Sequence, residues 1–263
     1  MGKRRQTGAK ALAMALLQVA AAAASPQGPI GRLDTEAKAQ WLRRDEPAGA
    51  RASVALYDHM SAIEPGRAEY QVALARALWW HAMMRPATAT VERRALFGRS
   101  IDAARRAQRL APLDPGGFYW EAASRAQAAA EGGGPVAPRE IWRIRTLAVK
   151  VRALNPWYHH GSIRIVEAEL ILGMPGWERW ITGEGPRRAV DLVVESLAFE
   201  NNCFYGHWVL ARALEASGRR GAAIAQLDFI LRGKPEAFLP DAPENRVVQR
   251  WAAPLRARLT GSP

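Results

Sequence analysis

Titratable and nucleophilic side chains are plentiful in this sequence, but their spacing does not assemble a reaction centre. His159 and His160 are adjacent. On a helix, neighbours point about 100° apart, so the pair does not converge on one metal ion and reads as structural. Cys203 is the only cysteine, which rules out an internal disulfide, and beside Phe204 and Tyr205 it reads as a small apolar side chain. There is no Gly-rich phosphate loop, no His-Glu-x-x-His and no nucleophile elbow. The expectation is a protein that is not an enzyme and carries neither metal nor cofactor.

The residues suited to recognition are aromatic. Phe118-Tyr119-Trp120, Trp157-Tyr158-His159 and Phe204-Tyr205 each follow a helix-ending turn by a few residues. Equivalent positions in stacked helical units line up along one surface, so Tyr119, Trp120, Tyr158, His159 and Tyr205 are candidates for a wall that holds an apolar group or a partner. The competing reading is that these rings pack one unit on the next. Trp177 and Trp180 lie three residues apart in a long connection, Met174 to Gly185. They either fold back over apolar surface or offer an anchor to a partner.

The elements that position these residues are helices. Nearly half the residues are apolar (49%), alanine is abundant, and no long stretch alternates with period two. Helices are expected near 35–44, 48–63, 67–84, 91–110, 117–131, 138–154, 157–173, 186–199, 203–217, 220–232 and 243–259. Pro138 and Pro186 suit first turns, and Asp241 with Glu244 reads as a capping box opening the last helix. Gly132-Gly133-Gly134-Pro135 reads as a flexible break. Leu-Ala-Arg-Ala-Leu occurs twice, at 74–78 and 210–214. Similar helix endings recur at Pro65, Pro112, Pro156, Asn201 and Pro235, at spacings of 47, 44, 45 and 34. The last spacing is that of a tetratricopeptide (TPR) unit, and the others fit that period with an insertion. A single such unit cannot cover its own apolar face, so the expected fold is all-α, a TPR-like solenoid of four to five helical pairs over residues 25–263.

Residues 1–24 read as a signal peptide. Lys3-Arg4-Arg5 precedes an apolar stretch, Ala11 to Ala24, and Ala22 and Ala24 are small residues placed for cleavage before Ser25. The expected location is the periplasm, with an uncleaved membrane anchor as the alternative. The net charge of +12 falls to +8 without this segment, and the remaining arginines lie scattered among acids rather than in one run. That is a solvated helical surface rather than a nucleic-acid footprint.

From Asp114 to Gly233, a little under half the chain, the order of features resembles the T component of tripartite ATP-independent periplasmic transporters. The matching pieces are Leu113-Asp-Pro-Gly-Gly-Phe-Tyr-Trp120, Arg152-Ala-Leu-Asn-Pro156, Tyr158-His-His-Gly161, Met174-Pro-Gly-Trp177, Arg187-Arg-Ala-Val190 and the unit 210–231. The resemblance implies a periplasmic scaffold that works beside a solute-binding protein and has a helix-lined cavity for a hydrophobic ligand. Members are commonly lipoproteins, whereas no cysteine stands at the cleavage site here. The alternative reading is the helical superhelix of a cell-envelope enzyme or assembly complex.

Overall fold

The computed structural model describes residues 28–131, 135–237 and 239–261. Twelve α-helices run through them, with three short 3-10 turns and no strand among the described residues. Five helices begin on a proline: α1 (Pro29–Trp41), α2 (Pro47–Ile63), α5 (Pro115–Ala130), α6 (Pro138–Leu154) and α9 (Pro186–Leu197). Proline suits that position because its φ is already helical and its missing N–H would have had no partner there. The others are α3 (Ala68–Met83), α4 (Thr90–Leu110), α7 (Ile163–Gly173), α8 (Gly176–Thr182), α10 (Phe204–Ala216), α11 (Arg220–Arg232) and α12 (Ala242–Thr260).

Prolines also set the stops. Helices α2, α4 and α6 end at Ile63, Leu110 and Leu154, each two residues before Pro65, Pro112 and Pro156. The residue before a proline is pushed out of the helical region, so the ladder cannot extend further. Gly218 ends α10 at φ +79°. The Arg219 N–H reaches the Leu214 carbonyl at 2.8 Å and the Gly218 N–H reaches that of Glu215 at 2.9 Å, the paired bonds of a Schellman stop.

Helices pack in pairs along the chain: α1 with α2, α3 with α4, α5 with α6, α7 with α9 and α10 with α11. The first members α3, α5, α7 and α10 also pack on one another, and α12 packs against α10 and α11. The first helices therefore form an inner layer and their partners an outer one. Both copies of Leu-Ala-Arg-Ala-Leu lie in inner helices, α3 and α10, with their leucines and alanines buried. The arginine of each copy lies over a tryptophan, Arg76 over Trp41 at 4.2 Å and Arg212 over Trp208 at 4.5 Å.

Close approach of α5 to α4 depends on Gly117. A Cβ there would lie 2.8 Å from the Ala104 carbonyl oxygen and 2.9 Å from the Gln108 nitrogen, both backbone atoms. Gly98, in the middle of α4, has nothing within 4 Å of that position. The two glycines therefore respond to alanine with opposite signs. Gly98→Ala is expected to stabilise by about 0.5–1 kcal/mol through helix propensity, and Gly117→Ala to destabilise by about 1–3 kcal/mol through overpacking. Urea unfolding of the two variants checks this; shifts of equal sign would show that the α4–α5 contact is not tight.

Four local expectations are corrected. The connection 174–185 is not all loop: Gly176–Thr182 forms α8, closed by Gly183 at φ +68°. Residues 157–173 are not one helix: Tyr158–Gly161 is a 3-10 turn with His159 and His160 at φ +49° and +57°, and α7 starts only at Ile163. Asp241 makes no side-chain cap to α12. The first helix runs over 29–41 rather than 35–44. The signal segment 1–24 and the glycines 132–134 lie outside the described residues.

Candidate partner-binding site

Ring by ring, the inner layer gathers the sequence's aromatic candidates around one cavity. Tyr119 and Trp120 come from the first turns of α5, His159 from the 3-10 turn and Tyr205 from the start of α10. Tyr119 and Trp120 meet edge to face at 4.9 Å, and His159 stacks on Tyr119 at 5.1 Å. Trp79 of α3 bridges the two sides, 5.7 Å from Trp120 and 6.1 Å from Tyr205. Tyr158 packs on Tyr119 at 5.5 Å but is not among the residues lining the cavity. It sits in the 3-10 turn rather than in the first turn of an inner helix.

The cavity encloses only about 40 Å³, room for a few water molecules. Tyr119, Trp120 and Tyr205 are buried, while His159 and His160 are exposed at its edge. Its walls are polar in several places. The Tyr205 hydroxyl donates to Glu169 Oε1 at 2.7 Å. The Trp79 indole N–H is buried with no partner, which an enclosed water would satisfy. Burial pushes the phenols of Tyr119 and Tyr205 well above their usual range and raises the Glu169 carboxyl. Although His159 as a whole residue is exposed, its ring packs against Tyr119 and Trp120, and this desolvation and then His160 hold its imidazole below the usual histidine range. Cys203 lines the same cavity, and its thiol, pushed up to about 12 by burial, stays protonated.

The left-handed backbone at His159 and His160 costs roughly 1–2 kcal/mol per residue. Stacking of His159 on Tyr119 and the Ser162 N–H bond to the His159 carbonyl, 3.1 Å, offset part of it. Gly161 follows at φ +70°, where it lies against the Phe199 ring.

What closes the cavity is the C-terminal helix. α12 carries Asp241, Glu244 and Asn245 to its wall and returns to the beginning of the chain. Arg246 Nε donates to Asp45 Oδ2 at 2.8 Å, Arg250 Nη2 to the Asp45 carbonyl at 3.0 Å, and Arg44 Nη2 to the Pro240 carbonyl at 2.9 Å. The inner face of the solenoid is thus partly filled by its own last helix.

An open groove remains beside α12. It consists of two adjoining depressions of about 840 Å³ and 500 Å³ that share Trp208, Arg212, Trp251 and Pro254. Trp208 of α10 and Trp251 of α12 lie 5.3 Å apart, and Met83, Met84, Leu172, Val247 and Leu255 add apolar surface. The carboxylates nearby are largely occupied: Glu131 pairs with Arg93 at 2.6 Å and Glu215 with Arg258 at 2.6 Å. Among the described residues Arg250 reaches a backbone carbonyl but no carboxylate, and Arg212 pairs with Glu169 only at 3.8 Å. The groove therefore presents two indoles in tilted contact, flanked by arginines.

Sequence reasoning did not single out Trp208, Arg212 and Trp251. The first two were legible as an i, i+4 pair on the helix that carries the second Leu-Ala-Arg-Ala-Leu. Trp251 was not, because only the return of α12 brings it to Trp208. Trp177 and Trp180 lie elsewhere, on α8, away from the groove and the cavity.

Sequential helix pairs, an inner layer of first helices and a groove along it define the architecture. A solved structure of a thermophilic TPR protein of Thermus thermophilus is similar, with a TM-score of 0.51 at 18% sequence identity, over 78% of this chain and 91% of that chain. The chain has a TPR-like fold. At that identity the likeness shows the fold alone. No family model matches the chain, and no curated protein matches it.

Proposed function

We propose that this protein is a non-catalytic helical-repeat scaffold that binds an extended segment of a partner protein in the groove along its inner face. The observation that carries this reading is the pairing of Trp208 with Trp251 beside Arg212 and Arg250 in that groove. Paired indoles take an apolar or aromatic side chain, and the arginines beside them take a carboxylate of the same segment. The ligand is therefore a peptide segment that carries both an acidic and an apolar residue. The closed cavity has no room for such a group, so Tyr119, Trp120, His159 and Tyr205 act in this proposal as the framework that holds α10 against α12. An apolar small ligand belongs in the groove, for the same reason.

The order of motifs from Asp114 to Gly233 favours a periplasmic setting and makes a transporter solute-binding protein the first partner to try. Binding of a peptide library to the purified protein tests the groove. Enrichment of acidic-apolar peptides is expected, and Trp208→Ala with Trp251→Ala should weaken their binding by about 2–4 kcal/mol, while Arg212→Gln with Arg250→Gln should remove the preference for acids. Peptides that bind the tryptophan variant as tightly as the parent would place the site elsewhere.

A further inference from the structure

A second surface, remote from the groove, carries its own signal. On α8, Trp177, Trp180 and Ile181 fall within about 100° of arc, one face of a short helix. They are 55%, 84% and 66% exposed, and Trp142 on the neighbouring α6 is 67% exposed. Trp142, Trp177 and Ile181 border one cleft of about 500 Å³, with Pro135 and Arg145 completing its rim. Three indoles this exposed on adjoining elements are more than scattered surface apolar residues.

One buried bond ties the surface together. Glu178 turns inward from α8, and its carboxylate accepts the Val136 N–H at 3.1 Å. This bond ties α8 to the segment that leads into α6, so the two unusual connections of the sequence meet here. Glu178 is buried by that bond.

The outward-facing acids around the patch are paired. Glu184 is taken up by Arg145 at 2.7 Å, and Glu140 by Arg125 at 2.5 Å. Arg139, one turn before Trp142, and Arg179, between the two tryptophans of α8, have no carboxylate partner among the described residues. With the Glu178 carboxylate turned inward onto a backbone N–H, the charge left open beside the indoles is cationic.

We propose that this face is a peripheral membrane-binding surface that docks on an anionic lipid bilayer, with Trp142, Trp177 and Trp180 seated at the headgroup level and Arg139 and Arg179 on lipid phosphates. Indoles favour that level because their rings are apolar and their N–H is polar. Arginine stems lie along the acyl boundary while their guanidinium groups stay among the phosphates. α8, seven residues and roughly 10 Å long, lies in the plane of the surface. No helix among the described residues is long and apolar enough to cross a membrane, so the contact is adsorption rather than insertion. Because the patch is separate from the groove, failure of one reading leaves the other intact.

Co-sedimentation of the full chain with vesicles tests it, using phosphatidylcholine alone and phosphatidylcholine mixed with phosphatidylglycerol, at low and high salt. Sedimentation with the anionic vesicles that weakens in high salt is expected. Combining Trp142→Ala, Trp177→Ala and Trp180→Ala should lower vesicle partitioning about tenfold or more. Arg139→Gln with Arg179→Gln should lower it by a similar factor on anionic vesicles and leave residual binding to phosphatidylcholine unchanged. Residues 1–24 are identical in all these chains, so the difference between them reads the patch. A helical circular dichroism spectrum like the parent's confirms that the variants fold. Equal sedimentation of parent and variants overturns the proposal, as does no sedimentation of the parent. A parent dimer in analytical ultracentrifugation that the tryptophan variant abolishes also overturns it, in favour of a contact between two copies of this chain.

Discussion

Glu121→Gln is expected to destabilise the fold by about 2–4 kcal/mol, because it removes the buried anion shared by three arginines that are half-buried or exposed. Glu121 is fully buried on α5. Its carboxylate accepts from Arg143 at 3.0 Å, Arg125 at 2.9 Å, Arg105 at 3.2 Å and Gln108 at 2.6 Å. These donors come from α4, α5 and α6, so one side chain ties two helical pairs together. Burial alone would raise its carboxyl, but the bonds from Arg143, Gln108 and Arg125 outweigh burial and hold it down at about 2. A carboxyl depressed in the folded state contributes stability that is complete above its unfolded value near 4.5. That contribution is lost as pH falls toward 2. Urea unfolding at neutral pH and in this acid window measures both effects. The glutamine variant should be weaker at neutral pH and should show a flatter decline in acid. Arg105→Gln, which removes one exposed donor of four, should cost less than about 1 kcal/mol. A glutamine variant as stable as the parent would mean that desolvation of the cluster cancels its attractions.

The second large effect has the opposite sign and a different window. Glu244, on the cavity wall near the start of α12, is raised to about 7. Burial is the main cause and Asp241 adds to it, against the opposing pull of Arg44, whose Nη2 lies 3.8 Å away, and of Arg76. A carboxyl raised in the folded state favours the fold most when it is protonated. Stability contributed by this site is present below about 4.5 and is lost as pH rises to 7, by roughly 3 kcal/mol over the interval. Glu244→Gln keeps the neutral shape and should remove that decline. Chemical denaturation at several pH values between these limits decides the matter: parallel curves for parent and variant would show that Glu244 is ionised throughout, as the partner of Arg44. The contrast with Glu121 comes from donors. Glu121 has four close ones and Glu244 has only a distant guanidinium.

Much of the architecture is legible in the sequence because it is written at short range. Proline two residues after an apolar stretch stops α2, α4 and α6, and Gly218 stops α10, whatever else the chain does. Spacing of leucine and alanine in the two Leu-Ala-Arg-Ala-Leu copies selects the face that each inner helix buries. Phase also placed Tyr119 and Tyr205 on inner helices, since a ring in the first turn of such a helix keeps its azimuth. Local rules failed where a contact between distant segments outweighs propensity. His159 and His160 are left-handed because the turn is pinned against Tyr119 and Phe199, and no pattern of neighbours specifies that. The Trp-bearing insertion contains helix α8, which Glu178 ties to the Val136 N–H, 42 residues away. The cavity and the groove were least visible of all. Both are shaped by α12, whose place is fixed by Arg246 meeting Asp45 across 201 residues of chain. The sequence by itself therefore determined helices, their stops and their buried faces, because i, i+3 and i, i+4 spacing carries that information. Only the tertiary structure decided which aromatic rings are enclosed and which stay open to a partner, because that depends on where the end of the chain comes back to its beginning.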